Sequence, residues 1–314
     1  MNLHIPLQSE TLSHFAYRAI EKHFRKAMKH EEEVLADQDP EALHQMRVGL
    51  RRLRTAIQVF GFVADLPKAA SEAKIRKFAQ ILGAVRDADV LQLELKSPTL
   101  PESEQKELKR ALKKLQKQRS RDFKKLQKAL KSHEYKAFRK EMENWLALPH
   151  YRVIGQLPIQ SVLPDVLMPL IHGVLLHPAW LIGREESGRF APITAESIRE
   201  QLRQNASLHD LRKQMKRVRY QTELFTEFYG EAYKAQVEDF KAIQESLGEI
   251  QDSVVMQEFL ESSLKQAIEK TCPIFADRLQ EKIINAWQQW RSQQEKYLDP
   301  SFRMQLRRTV LEPT

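Results

Sequence analysis

Three features of the 314-residue chain predict an all-α protein. Glycine is sparse, at nine residues against a typical ~7% of a chain, so few positions demand an unusual backbone. Leu, Lys, Gln, Glu and Ala dominate, and all are good helix formers. Apolar residues recur at helical spacing, as in Leu108, Leu112, Leu115, Phe123, Leu126 and Leu130. With 42% hydrophobic residues the chain can bury a real core, as one large domain or two.

Breakers divide the periodic stretches into helices. The first half is expected to hold them over 9–35, 40–64, 69–97 and 102–147. Leu148, Pro149 and His150 end that set, and Gly155 and Pro158 follow. The second half is expected to hold helices over 160–177, 194–229, 232–270 and 273–297. Pro178 to Pro192, with Gly183 and Gly188, reads as a loop without a counterpart in the first half. The last dozen residues are expected to fray or to pack as an extension. Leu157 to Ile182 is the most apolar stretch, but it carries Asp165, His172, His177 and several prolines. A membrane helix wants ~20 nearly uninterrupted apolar residues, so a buried helix and a following loop are expected, and no membrane span. The opening MNLHIPLQSE lacks a basic region followed by an apolar run. The single Cys272 excludes a disulfide framework and fits a reducing compartment. A cytoplasmic location is the expectation.

Charge is uneven. Residues 1–150 hold 30 Lys+Arg and 20 Asp+Glu, whereas residues 151–314 hold 21 and 22, so the whole excess of the net +9 lies in the first half. Lys106 to Lys140 alone has 15 basic and three acidic residues. Its lysines separate apolar residues as on any amphipathic helix, either merely solvated or sharing in polyanion binding. Such a balance points to a polyanionic partner: nucleic acid, an acidic membrane or a phosphate polymer.

The chain also repeats itself. LHQMRVGLRRLRTAIQVF, from Leu43, aligns with LHDLRKQMKRVRYQTELF, from Leu208, at a shift of 165 residues. The same shift sets LGAVRDADVLQLEL, from Leu82, on LGEIQDSVVMQEFL, from Leu247, without a gap. An internal duplication follows, with 1–150 as the first helical repeat and 151–314 as the second.

On a helix at 100° per residue, with His44 at 0°, Arg51 falls at about −20°, Arg47 at about −60° and Arg54 at about −80°. Leu43, Met46, Leu50, Leu53, Ile57 and Phe60 share the adjoining side, and Arg52 points elsewhere. His209, Arg212, Lys216 and Arg219 repeat the geometry in the second copy. Like charges so spaced repel. Either acids on neighbouring helices pair them, with Asp87, Asp89 and Asp252 as candidates, or an anion relieves them. Arginine's planar fork suits phosphate oxygens, and a mixed Arg/Lys/His row suits a repeated phosphate. Neither His44 nor His209 has a second metal ligand in helical reach. The surrounding cations would lower a histidine's pKa. A phosphate hydrogen bond or a structural bond across the bundle is therefore expected of both. Gly83 and Gly248 fit close helix packing, and Asp87 and Asp252 are expected to orient an arginine of the basic helix. No carboxylate cluster expected to hold a catalytic metal accompanies the basic groups. The aromatics Phe60, Phe78, Phe225 and Phe228 sit at core spacing, unlike the stacking platforms of single-strand nucleic-acid binders.

HQMRVGLRRLR with LGAVRDADVL, and LHDLRKQMKRVRY with LGEIQDSVV, resemble the CHAD family, the conserved-histidine α-helical domain, over about residues 8 to 297. The resemblance implies two four-helix bundles related by a pseudo-twofold with a basic cavity between them. It also implies binding of inorganic polyphosphate and location to polyphosphate granules, where granule proteins would be further partners. Nucleic-acid binding or binding of other polyanions, an enzyme hydrolysing phosphate chains, and a regulatory adaptor remain the alternatives. No cofactor, metal or catalytic residue is expected. By position the implied polyphosphate contacts are His44, Arg47, Arg51, Arg52 and Arg54, then His209, Arg212, Lys216, Arg217 and Arg219; the expected set also takes in Lys77, Arg86 and Lys213. The second copy departs at Gln251, which stands where Arg86 does, and at Ser253, which stands where Asp89 does.

Overall fold

The computed structural model describes residues 10–96, 100–204 and 207–313. Among them the chain is helical, with isolated bridges such as Ala64 to Tyr151 and no β-strand. Expectations at residues 9, 97, 205, 206 and 314 lie outside the described residues.

The first helices are α1 (Leu12–Lys29), α2 (Glu31–Ala36), α3 (Pro40–Phe60), α4 (Glu72–Lys96), α5 (Glu102–Leu130) and α6 (His133–Ala147). Two expected helices are each broken. The first gives way at His30, and α2 ends on Asp37 in a left-handed conformation, φ 54°. The break between α5 and α6 comes from Ser132. Its backbone is extended and its hydroxyl accepts the Tyr135 N–H at 3.2 Å. That is an N-cap set inside an apolar rhythm that otherwise runs on.

The remaining helices are α7 (Ile159–Leu175), α8 (Ala195–Gln204), α9 (Ser207–Thr222), α10 (Glu231–Leu264), α11 (Ile268–Thr271), α12 (Pro273–Leu298) and α13 (Pro300–Leu311). After α9 the chain tightens into a 3-10 segment, Glu223–Phe228. Ile159–Leu181 is long and apolar enough to cross a membrane, although α7 contains Pro164 and Pro169 and buries Leu163, Leu167, Ile171 and Val174. The expected loop opens with a 3-10 turn, Pro178–Leu181, that buries Trp180, then bends at Gly183 and Gly188, φ 75° and 80°. The C-terminal residues do pack: α13 buries Leu306 and Val310, and the Tyr229 hydroxyl donates to the Val310 carbonyl at 3.0 Å.

The described residues form two compact units, those of 10–94 with 115–163, and those of 95–114 with 164–313. In the first, α1 lies so close to α3 that a Cβ on Gly49 would stand 2.7 Å from the Ala27 backbone. Phe78 meets Tyr135 and Phe138 at 5.1 and 5.6 Å in its core. In the second, Trp180 stacks on Tyr297 and Trp290 at 4.9 and 5.0 Å. The buried Gln294 amide donates to the Trp180 and Ile182 carbonyls at 3.2 and 3.0 Å, which fixes the turn after α7. Buried Glu104 accepts the Ile274 and Phe275 N–H groups at 3.0 and 3.1 Å, capping α12 with a carboxylate where the helix dipole favours one.

Candidate anion-binding site

In the first unit, Asp39 caps α3 by accepting the Glu41 N–H at 2.8 Å, and Pro40 occupies the first turn. The apolar stripe from Leu43 to Phe60 is buried, so His44, Arg47 and Arg51 are held half-buried along its edge. Arg47 lies across Gly83 of α4: a Cβ there would stand 3.6 Å from Arg47 Nε. A longer side chain at that position would lift the guanidinium off the helix. One turn on, Asp87 Oδ1 is 3.7 Å from Arg47 Nη2.

The second unit builds the same device from α9 and α10. Arg212 lies over Gly248, its Nε 3.8 Å from the position of a Cβ, and Nη2 donates to Asp252 Oδ1 at 3.3 Å. The arginine side chain is 24% exposed in both copies, and the aspartates are 70% and 69% exposed. An ion pair that open to water contributes little stability, typically ~0–1 kcal/mol. Its effect is to aim a guanidinium whose five donors are mostly left for another acceptor. Glycine and aspartate therefore act on the arginine, as expected of Asp87 and Asp252; the close packing expected at the glycines is with that side chain.

The histidines differ between copies. His209 Nδ1 is 2.9 Å from Gln251 Oε1, a structural bond across α9 and α10. His44 Nδ1 is buried without a hydrogen-bond partner. Burial first and then the charge of Arg86, opposed by Glu41 and joined by Arg51 and Arg47, hold the His44 pKa below the usual imidazole value. Neutral His44 offers one donor and one acceptor in a cationic surround.

Other candidates are fixed by acids that the sequence pattern did not single out. Arg54 pairs with Glu72, which also accepts from Gln58 at 3.0 Å. Arg219 donates to Glu223 at 2.7 Å and to Gln244 at 3.2 Å. Lys77 reaches Glu134 at 2.5 Å, and Lys74 joins the same carboxyl, which these bonds hold below the usual carboxylate range. Arg52 is half-buried beside His23, whose pKa is lowered to about 4 by burial and then by Arg52. Lys213 and Arg217 are exposed, and Lys216 is half-buried. Asp89 is not turned toward α3: its Oδ1 accepts from Arg119 Nε at 2.6 Å, and Arg119 also holds Asp37 at 2.6 and 2.7 Å.

A family model described as CHAD domain matches residues 18–261. Among solved structures, the CHAD domain from the plant Ricinus communis is 24% identical, with a TM-score of 0.56 over 96% of this chain and 92% of that one. PptA from Streptomyces chartreusis is 12% identical, with a TM-score of 0.61 over 91% of this chain and 100% of that one. At these identities the likeness concerns the fold. No curated protein matches the sequence.

Proposed function

The chain belongs to the CHAD family, and from that premise we propose that it binds inorganic polyphosphate without cleaving it. The observation that carries this reading is the doubled arginine device, Arg47 on Gly83 beside Asp87 and Arg212 on Gly248 beside Asp252. Each device aims donors outward next to further cations, which suits a ligand that repeats its charge. Binding without cleavage is supported by the carboxylates: Asp87 faces Arg47 and Asp89 faces Arg119, so the two do not converge on one point. The common 165-residue shift of both helix pairs supports a duplication, which we take to be of four-helix bundles. In a cell the protein would sit with cytoplasmic polyphosphate, including its granules. The test compares long-chain polyphosphate with pyrophosphate in one buffer. Tight binding of the long chain, weak binding of pyrophosphate and no phosphate release with magnesium are expected. Equal affinity for both anions, or chain shortening, would overturn the reading.

A further inference from the structure

One strongly charged surface lies outside the two helix pairs. On the part of α5 that belongs to the first unit, Lys117, Arg121, Lys124 and Lys128 are all exposed. With Lys124 at 0°, Lys117 falls at about 20°, Lys128 at about 40° and Arg121 at about 60° on the helix. The four make a straight row about 16 Å long at 1.5 Å per residue. Arg119, about 140° away, is the arginine pinned to Asp37 and Asp89. Among the described residues no hydrogen bond or ion pair joins the row to a carboxylate. Asp122, beside Arg121, is buried and accepts from Lys125 and Gln118, each at 2.8 Å.

The row repels itself until an anion lies on it. Its neighbours decide which anion. Ser120 and Gln116 flank it, and the ring within its span of α5, Phe123, is covered by the Arg119 guanidinium at 5.6 Å from its centroid. A base therefore finds no stacking platform. The apolar side of α5, with Leu115, Leu126 and Leu130, is buried in protein and cannot enter a bilayer. Lysine ammoniums are point charges without planar selectivity, and a straight line of them fits a flexible chain that carries charge at every repeat.

We propose that this row is a second polyphosphate track, made of residues distinct from the α3 and α4 arginines. It rests on the polyphosphate reading above and adds capacity for long chains. The test uses the full chain with Lys117→Gln, Arg121→Gln, Lys124→Gln and Lys128→Gln together, after a melt confirms that it folds. Long-chain polyphosphate, oligo-dT and pyrophosphate are titrated at several salt concentrations. For nucleic acids each phosphate contact adds ~0.7–0.9 to the log–log salt slope. By analogy the long-chain slope should become shallower by about 3, with at least tenfold weaker binding at low salt and pyrophosphate unaffected. An unchanged slope would overturn the track and leave polyphosphate binding elsewhere intact. Loss of oligo-dT binding with polyphosphate binding retained would overturn the choice of ligand. If the unaltered protein binds no polyphosphate, the track and the functional reading fall together.

Discussion

The α3–α4 pair and the α9–α10 pair use one scaffold for two electrostatic settings. Each lays an arginine on a glycine and steers it with an exposed aspartate. What differs is the residue facing the histidine. Arg86 adds a charge near His44 and leaves its Nδ1 without a bond, whereas Gln251 neutralises that position and bonds His209 at 2.9 Å. The aiming of the arginine is thus separable from the local charge, and on the polyphosphate reading the first pair is expected to be the better anion site.

Breaking the better site should have the largest effect. Arg47→Gln with Arg51→Gln removes two charges and hardly changes helix propensity. Polyphosphate affinity should fall well over tenfold, since hydrogen bonds to charged groups contribute ~1.5–3 kcal/mol each, and an unchanged affinity would remove α3 from the site. Arg212→Gln with Lys216→Gln should cost less. Next in size is the exchange at the position that differs. Arg86→Gln should weaken binding several-fold, and Gln251→Arg should strengthen it by a similar factor. A Gln251→Arg protein that binds more weakly would mean that the His209 bond, not local charge, sets the difference.

Two glycines sharpen the same comparison through stability. Gly49→Ala forces a Cβ to 2.7 Å from the Ala27 backbone and should lower stability by ~1–3 kcal/mol, as overpacking does. Gly83→Ala makes only a 3.6 Å contact and should stabilise by up to ~1 kcal/mol through helix propensity. Denaturant melts of both variants check this, and equal destabilisation would contradict the account of Gly83. A further effect is expected with pH. His23 titrates at about 4 in the fold against 6.5 when unfolded, so the unfolded chain binds the extra proton between those values. Stability should therefore be full above about 6.5 and decline as pH falls toward about 4, by at most ~1.4 kcal/mol per unit. His23→Gln should flatten that part of the curve.

The helix rhythm, the duplicated motif and the Asp87 and Asp252 pairings were legible because each is periodic or sits at a fixed offset. The breaks at His30 and Ser132 were not, since capping is a one-residue event that leaves the apolar spacing intact. Nor were the acids that hold candidate cations. Glu72 lies 18 residues from Arg54, and Glu134 lies 57 from Lys77, separations that only the folded chain closes. Arg54 looked equivalent to Arg47, and Arg219 to Arg212, in a helical projection. A projection shows direction, not the neighbouring element.

The most direct test of a polyphosphate site on α3 is the titration of His44 followed by NMR, with and without long-chain polyphosphate. Burial and the charges of Arg86, Arg51 and Arg47 hold its pKa low in the free protein. A bound polyanion offsets those charges, so the His44 pKa should rise as the ligand saturates. A His44 titration that does not move while binding reaches completion would contradict the account, because the anion would then be held somewhere else.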